Sequence, residues 1–265
     1  MSAHSEVLPQ ERKHAILTRL RIEGRVSAAE LASVFDISED SIRRDLRELA
    51  AQGLCRRVYG GALLPSPPLS PIRQRQDENA SRKQALAQVA ASLVQPNQVL
   101  LIDAGSTNNA IAARLPERHG LTVATNAPSI AQQLMAREGF EVMLIGGRID
   151  ISAGGSVGAE ALDQLRRIRA DVCFPGACAI DSARGLWGMD SDQAVFKRAM
   201  IEASGTCVVV VLNDKLETPA PFQVADLHAI DYLVVEHDAP AAQVQAFEKR
   251  GLELRFSAPT DSQHE

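Results

Sequence analysis

The chain has 265 residues, of which 45% are apolar and only 4% aromatic, and its formal net charge is -5. That length carries one large domain or a small domain plus a medium one, and that apolar content excludes wholesale disorder. The acidic balance argues against nonspecific polyanion binding by the whole chain, and the longest strongly apolar run, Cys207–Leu212, is too short to span a bilayer.

The charge is unevenly spread. Residues 1–62 hold ten basic and nine acidic groups, and the remainder is clearly acidic. Within Ser41–Ala62, five arginines face only Asp45 and Glu48. A small basic patch therefore sits on an acidic protein.

Gln10–Leu20 reads as a first helix, with Ile16 and Leu20 on one face and Gly24 as its stop. Ser27 starts a second helix, and Glu30 stands at capping-box spacing. Leu31, Ala32 and Phe35 form its apolar face. Asp36-Ile37 is a tight break, and Ser38 is the N-cap of a third helix over Glu39–Gln52. Ile42, Leu46 and Leu49 make an inward stripe, while Ser41, Arg43, Arg44 and Arg47 project from other faces. Two short helices across a short break, the second rich in arginine, have helix-turn-helix spacing. Arginine suits both guanine edges and phosphates, so these side chains divide between reading and positioning. Arg56, Arg57, Val58 and Tyr59 then suit a short strand, with Gly60-Gly61 as a tight turn. That is a wing able to lay Arg56 and Arg57 along a phosphate backbone.

Leu63–Pro71 has four prolines in nine residues, which favour extended chain over helix. The expected organisation is a DNA-binding domain over 1–62, a proline-rich linker over 63–78, an α/β domain over 79–256 and a flexible tail over 257–265. A helix is expected near Ser81–Leu93. Strands are expected at Val99–Ile102, Leu121–Ala124, Glu141–Ile145, Asp171–Phe174, Cys207–Leu212 and Ala229–Val235. Helices fall between them at Asn108–Leu115, Pro128–Arg137, Ala159–Ile168 and Gln193–Ala203. Alternation of this kind, with uniformly apolar strands, predicts a parallel sheet covered on both faces.

Ligands of such sheets sit beyond the carboxyl ends of the strands. There the chain places Asp103, Gly105, Ser106 and Thr107 at a helix start, then Thr125 and Asn126, Gly146 and Gly147, Gly176, and Lys215. Hydroxyls and free N–H groups at a helix N-terminus make a phosphate cradle, and Lys215 adds a positive charge. Gly154–Gly158 reads as a flexible glycine-rich loop. No dinucleotide fingerprint or Walker A loop is present, and no cofactor is expected. The histidines show no metal-ligand spacing, and the four cysteines form no CxxC pair. They read as reduced thiols of a soluble, cytoplasmic protein, Cys178 included.

Several motifs carry a family resemblance. Gly24-Arg25-Val26-Ser27, Glu30-Leu31-Ala32, Ile37-Ser38, Ser41-Ile42-Arg43-Arg44-Asp45-Leu46 and Gly53–Ala62 resemble the N-terminal signature of the DeoR family of bacterial transcription regulators. Ser41 stands for the usual threonine and Tyr59 for the usual histidine. The candidate DNA-binding set is Ser38, Ser41, Arg43, Arg44, Arg47, Arg56, Arg57 and Tyr59. Asp103–Thr107, Thr125-Asn126, Leu144–Gly147, Gly158–Ala161, Ala170–Phe174, Gly185-Leu186 and Asp190–Lys197 resemble the family's effector domain. The resemblance implies a winged helix-turn-helix followed by a Rossmann-like domain related to ribose-5-phosphate isomerases and CoA-transferase-like folds. It implies a homo-oligomer that binds double-stranded operator DNA, has no membrane partner, and is a repressor released by a phosphorylated sugar or sugar-like effector. One departure stands out: Leu212 replaces the aspartate of the family's D-x-S-K run, while Lys215 is kept. That implies a different effector or a different contact with that loop.

The fold relationship makes a sugar-phosphate isomerase with an accessory DNA-binding domain the alternative. An isomerase needs a carboxylate base at the substrate carbons. The related enzymes carry an acidic run after a central strand, and here that stretch is Pro175–Ala179, with no acid. Nor does Leu186-Trp187-Gly188 contain the expected lysine. No catalytic residue is assigned and no metal site.

Overall fold

The computed structural model describes residues 9–23, 25–58, 60–63, 72–117 and 119–260. Gly24, Tyr59 and most of the proline-rich segment, 64–71, lie outside the described residues, as do the Arg25, Arg56 and Leu63 side chains. The chain divides into two compact units, 1–68 and 69–265.

In the first unit, α1 (Pro9–Glu23) leads through β1 (Arg25–Ser27) to α2 (Ala28–Phe35) and α3 (Glu39–Ala51). β2 (Arg56–Val58) and β3 (Gly61–Leu63) complete a small antiparallel sheet of order β1-β3-β2. Local chemistry sets the boundaries. The Ser27 hydroxyl accepts from the Glu30 N–H at 3.5 Å, and Asp36 turns the chain in the left-handed region, φ 51°. Ile16, Leu20, Leu31, Ile42, Leu46 and Leu49 are buried together. Burial of each stabilises the unit by about 1.5–3 kcal/mol. Arg12 on α1 pairs with the buried Asp45 on α3 at 2.6 Å. Asp45 is thus a fastener of the core, not part of the surface charge balance.

The second unit opens with α4 (Ile72–Asp77) and α5 (Ala80–Ser92). The expected linker over 63–78 therefore ends in a helix, because the prolines stop at Pro71. Then follow β4 (Val99–Ile102), α6 (Ser106–Arg114), β5 (Leu121–Thr125), α7 (Pro128–Met135) and β6 (Phe140–Leu144). A hairpin, β7 (Arg148–Asp150) and β8 (Gly155–Val157), precedes α8 (Ala159–Leu165) and β9 (Ala170–Phe174). β10 (Ala179–Asp181), β11 (Gly185–Gly188), α9 (Ser191–Glu202), β12 (Ser204–Val210), β13 (Phe222–Ala225), β14 (Tyr232–Val235), α10 (Ala241–Glu248) and β15 (Glu253–Phe256) complete the order.

Seven strands form one parallel sheet of order β15-β14-β12-β9-β4-β5-β6. Two buried clusters cover its faces, one around Leu101, Cys173, Val209 and Leu233 and the other around Leu100, Ile102, Phe174 and Val208. That is the doubly covered sheet the apolar strands predict. Strand order reverses between β4 and β9, so the loops after these two strands part and leave a crevice.

Two expectations are corrected. Gly155–Val157, read as loop, is a fully buried strand, and a Cβ on Gly155 would lie 2.5 Å from the Ala104 Cβ. The tail expected from 257 begins with the buried Ser257, whose N–H donates to the Val235 carbonyl at 2.9 Å. Among the described residues, no helix is long and apolar enough to cross a membrane.

Candidate functional site

Two sites arise, one in each unit. In the first, α3 presents its polar side. The Ser38 hydroxyl accepts from the Ser41 N–H at 3.3 Å and lies 3.1 Å from the Ser41 hydroxyl. Both serines are therefore engaged in ending the turn and starting the helix. Arg43 is held by its own helix, 2.7 Å from Glu39 and 3.3 Å from Asp40. Arg44 and Arg47 are exposed and have no ion pair among the described residues. Arg57 is exposed on β2. The wing turn needs its glycines: Gly60 has φ 79°, and a Cβ on Gly61 would stand 2.0 Å from the Val26 carbonyl oxygen. β3 can then pair with both β1 and β2.

In the second unit a cleft lies at the switch between β4 and β9. Its volume is about 810 Å³ including the open mouth. Gly105, Ser106, Thr107, Gly176 and Lys215 line it, so five of the ten effector residues expected from sequence come together. α6 points its N-terminus into the cleft, leaving first-turn N–H groups without helical acceptors.

Asp103 sits just beneath. Its carboxylate accepts from the Gly176 N–H at 2.9 Å and pairs with Lys197, a lysine buried on α9. Burial is the strongest single influence and pushes Lys197 toward the neutral form, but the Asp103 charge and hydrogen bond, together with Cys178, outweigh it and hold its pKa above the ordinary value. A Cβ on Gly176 would meet the Asp103 carboxylate and the Ala104 carbonyl oxygen, each at 2.9 Å.

Thr125, Asn126, Gly146 and Gly147 do not line the cleft. The Thr125 hydroxyl accepts from the Ala127 N–H at 3.1 Å. Asn126 accepts from the Ala104 N–H at 2.9 Å and donates to the Ser156 carbonyl at 3.0 Å. Asn126 therefore braces the loop that carries Gly105. The Gly146 N–H donates to Gln164 at 3.0 Å, and Gly147 has φ 136° with α8 close by.

The cleft also collects residues the sequence reading passed over: Arg75, Lys83, Asn108, Cys178, Gln193 and Lys197. Cys178, expected to be a buried thiol, is half-exposed on the wall. Lys83 is buried, its ammonium donating to the carbonyls of Arg75 and Glu78, the latter at 2.7 Å. Burial lowers its pKa. Burial lowers that of Arg75 too, whose guanidinium donates to the Ser152 carbonyl at 2.8 Å. Four cations, from three α-helices and the short 3-10 turn Asn213–Lys215, thus line the cleft at one helix N-terminus. The signal was present in the sequence. Lys83 shares a stripe with Leu86, Ala87 and Ala90, and Lys197 one with Ala194 and Met200. A lysine at an apolar stripe position is a buried cation in waiting.

Leu212 is buried on the wall of the cleft, and Asp214 pairs with Lys215 at 3.0 Å. The Pro175–Ala179 stretch supplies no acid, and Asp181 accepts from the Ala183 N–H at 2.8 Å as a turn residue outside the cleft. No metal-holding cluster of His, Cys, Asp and Glu occurs among the described residues.

The comparisons with known proteins fall on the same two units. The DeoR-like helix-turn-helix domain matches residues 12–67, and the DeoR C terminal sensor domain matches 78–237. The glycerol-3-phosphate regulon repressor of Escherichia coli strain K12 is 31% identical over 93% of this chain and 98% of its own length. The HTH-type transcriptional repressor GlcR of Bacillus subtilis strain 168 is 28% identical over 92% and 95%. Among solved structures, ribose 5-phosphate isomerase A from Methanocaldococcus jannaschii matches 52% of this chain and 55% of its own at a TM-score of 0.36 and 15% identity, a likeness too remote to bear on function. On the two domain matches and the full-length relatives, the chain belongs to the DeoR family and is a DNA-binding transcriptional regulator.

Proposed function

We propose that this regulator is a repressor released by a phosphorylated sugar or sugar-like metabolite held in the cleft. The observation that carries the reading is the convergence of Arg75, Lys83, Lys197 and Lys215 on the N-terminus of α6. A phosphate there gains charge-assisted hydrogen bonds together with the helix dipole. Ser106, Thr107 and Gln193 offer neutral partners for hydroxyls. The name of the glycerol-3-phosphate regulon repressor points to a ligand of the same chemistry. Asp103 and Gly176 shape the site, and Asn126 braces the loop that carries Gly105.

On the DNA side, Arg44 and Arg47 are the principal contacts, with Arg43, Arg56, Arg57 and Tyr59 alongside and Ser38 and Ser41 fixing the start of α3. A cytoplasmic homo-oligomer presents paired α3 helices to repeated half-sites, and the effector favours the arrangement that binds DNA poorly.

The test is binding to the chain's own upstream DNA at fixed salt, titrated with a panel of sugar phosphates. Release by one phosphorylated sugar and not by its unphosphorylated form is expected. Tight binding that no sugar phosphate relieves refutes the effector reading and leaves the regulator intact.

A further inference from the structure

Lys83 is a buried cation with two structural hydrogen bonds. Its ammonium holds the carbonyls of Arg75 and Glu78, which belong to the last turn of α4 and the residue just beyond it. Such carbonyls have no partner within their own helix. None of the α4 residues is buried, and six residues are too few to stay helical alone. The helix is also tied by the Arg75 guanidinium on the Ser152 carbonyl and by the approach of Ile72 to Gly154, and it packs against α6.

Lys83 also lines the cleft, as do Arg75 and Glu78, whose carbonyls it holds. Glu78, Arg75, Asp214 and Lys215 are the charged groups that act on it. An anionic group in the cleft competes with the two carbonyls for Lys83. The anion is the stronger acceptor, since a hydrogen bond between ions exceeds one between an ion and a neutral carbonyl. α4 is also the first described element after 64–71, the segment that leads from the DNA-binding unit.

We propose that Lys83 is the latch that couples the cleft to the linker: it holds α4 by its C-terminal carbonyls in the free protein and transfers to the effector's anionic group on binding, unlatching α4. The inference rests on the anion-binding reading of the cleft. Lys83 is a positioning residue here, acting on DNA affinity through the helix it secures.

Hydrogen exchange on the full chain, with and without inorganic phosphate, tests it. In the wild type, phosphate is expected to protect the amides of 105–109 and to speed exchange over 73–79 by about tenfold or more, because two charged hydrogen bonds are released. Lys83→Met is expected to exchange fast over 73–79 without phosphate and to gain nothing from it. Lys83→Arg, which keeps charge and donors, is expected to restore the response, which a merely structural loss does not predict. Protection at 105–109 with 73–79 unchanged overturns the latch and leaves the anion site standing. Wild-type exchange over 73–79 in Lys83→Met also overturns it. Absence of protection at 105–109, with phosphate and with glycerol 3-phosphate alike, overturns the anion-binding reading and the latch with it. Should Lys83→Met fail to fold, as judged by thermal melting, the wild-type comparison decides alone.

Discussion

The two units use positive charge in opposite ways. On α3, Arg44 and Arg47 stand exposed with no ion pair among the described residues, ready for a partner that brings its own negative charge. In the cleft, Lys83 and Lys197 are buried, and each is already bound by the protein. Exposed cations cost little to keep, while buried ones need partners from the fold itself. A surface arginine can therefore be removed with its effect confined to binding. A buried lysine cannot, because its partner is left behind.

Lys197→Met gives the largest expected effect of this contrast. It strands the Asp103 carboxylate in the core, and breaking a buried pair on one side costs about 3–5 kcal/mol. A clear fall in the unfolding midpoint under denaturant is expected, with loss of effector response. Unchanged stability would show that water reaches Asp103 and that the pair is not truly buried. Next comes Lys215→Ala. Lys215 is about one-third exposed and, among the described residues, its ammonium pairs with its neighbour Asp214, so stability is expected to stay within about 1 kcal/mol. A charged hydrogen bond from Lys215 to a phosphorylated effector would contribute about 1.5–3 kcal/mol, so a loss of roughly 10- to 150-fold in affinity is expected. Calorimetric titration reads that loss, and unchanged effector affinity would remove Lys215 from the site. Arg44→Ala follows, at about 1–3 kcal/mol in operator binding, with no change in the cleft. Gel shifts at several salt concentrations check it. Equal loss of effector binding would refute the separation of the two sites.

The same contrast explains what the sequence disclosed. The helices of the first unit and its strand β2 were legible because caps, breaks and apolar stripes are local, and Ser27, Asp36 and Ser38 sit where they act, whereas the three-residue β1 and β3 were not expected. Six of the seven parallel strands were legible as short apolar runs, and β15, with Glu253 and Arg255 in it, was not. β7, β8, β10 and β11 were not, since three or four residues carry no period and the glycines of 154–158 mimic a loop. In the cleft, Gly105–Thr107 and Gly176 were readable because strand-end loops of a parallel sheet announce themselves. Thr125 and Asn126 looked the same in sequence, yet Asn126 turns inward to support the loop after β4 and Thr125 accepts from the Ala127 N–H just before α7. Lys83 and Lys197 come from helices far along the chain, and only the three-dimensional packing shows which ammonium meets which carboxylate or carbonyl.

Ser38 sharpens the comparison most finely, because it separates two roles that coincide in space. It belongs to the expected DNA-binding set, yet its hydroxyl is already occupied by the Ser41 N–H at the start of α3. A cap of this kind is worth about 1 kcal/mol, and glycine loses only a few tenths of that. Ser38→Ala is therefore expected to lower stability by about 1 kcal/mol, and Ser38→Asp, which keeps a capping oxygen, to preserve it. On DNA the order differs. An added carboxylate next to phosphates repels them, so Ser38→Asp is expected to weaken operator binding more than Ser38→Ala does. Stability from chemical denaturation and affinity from the same preparations give both rankings at once. If alanine proves worse than aspartate in both, Ser38 serves the helix alone and contributes to recognition only by aiming Arg44 and Arg47.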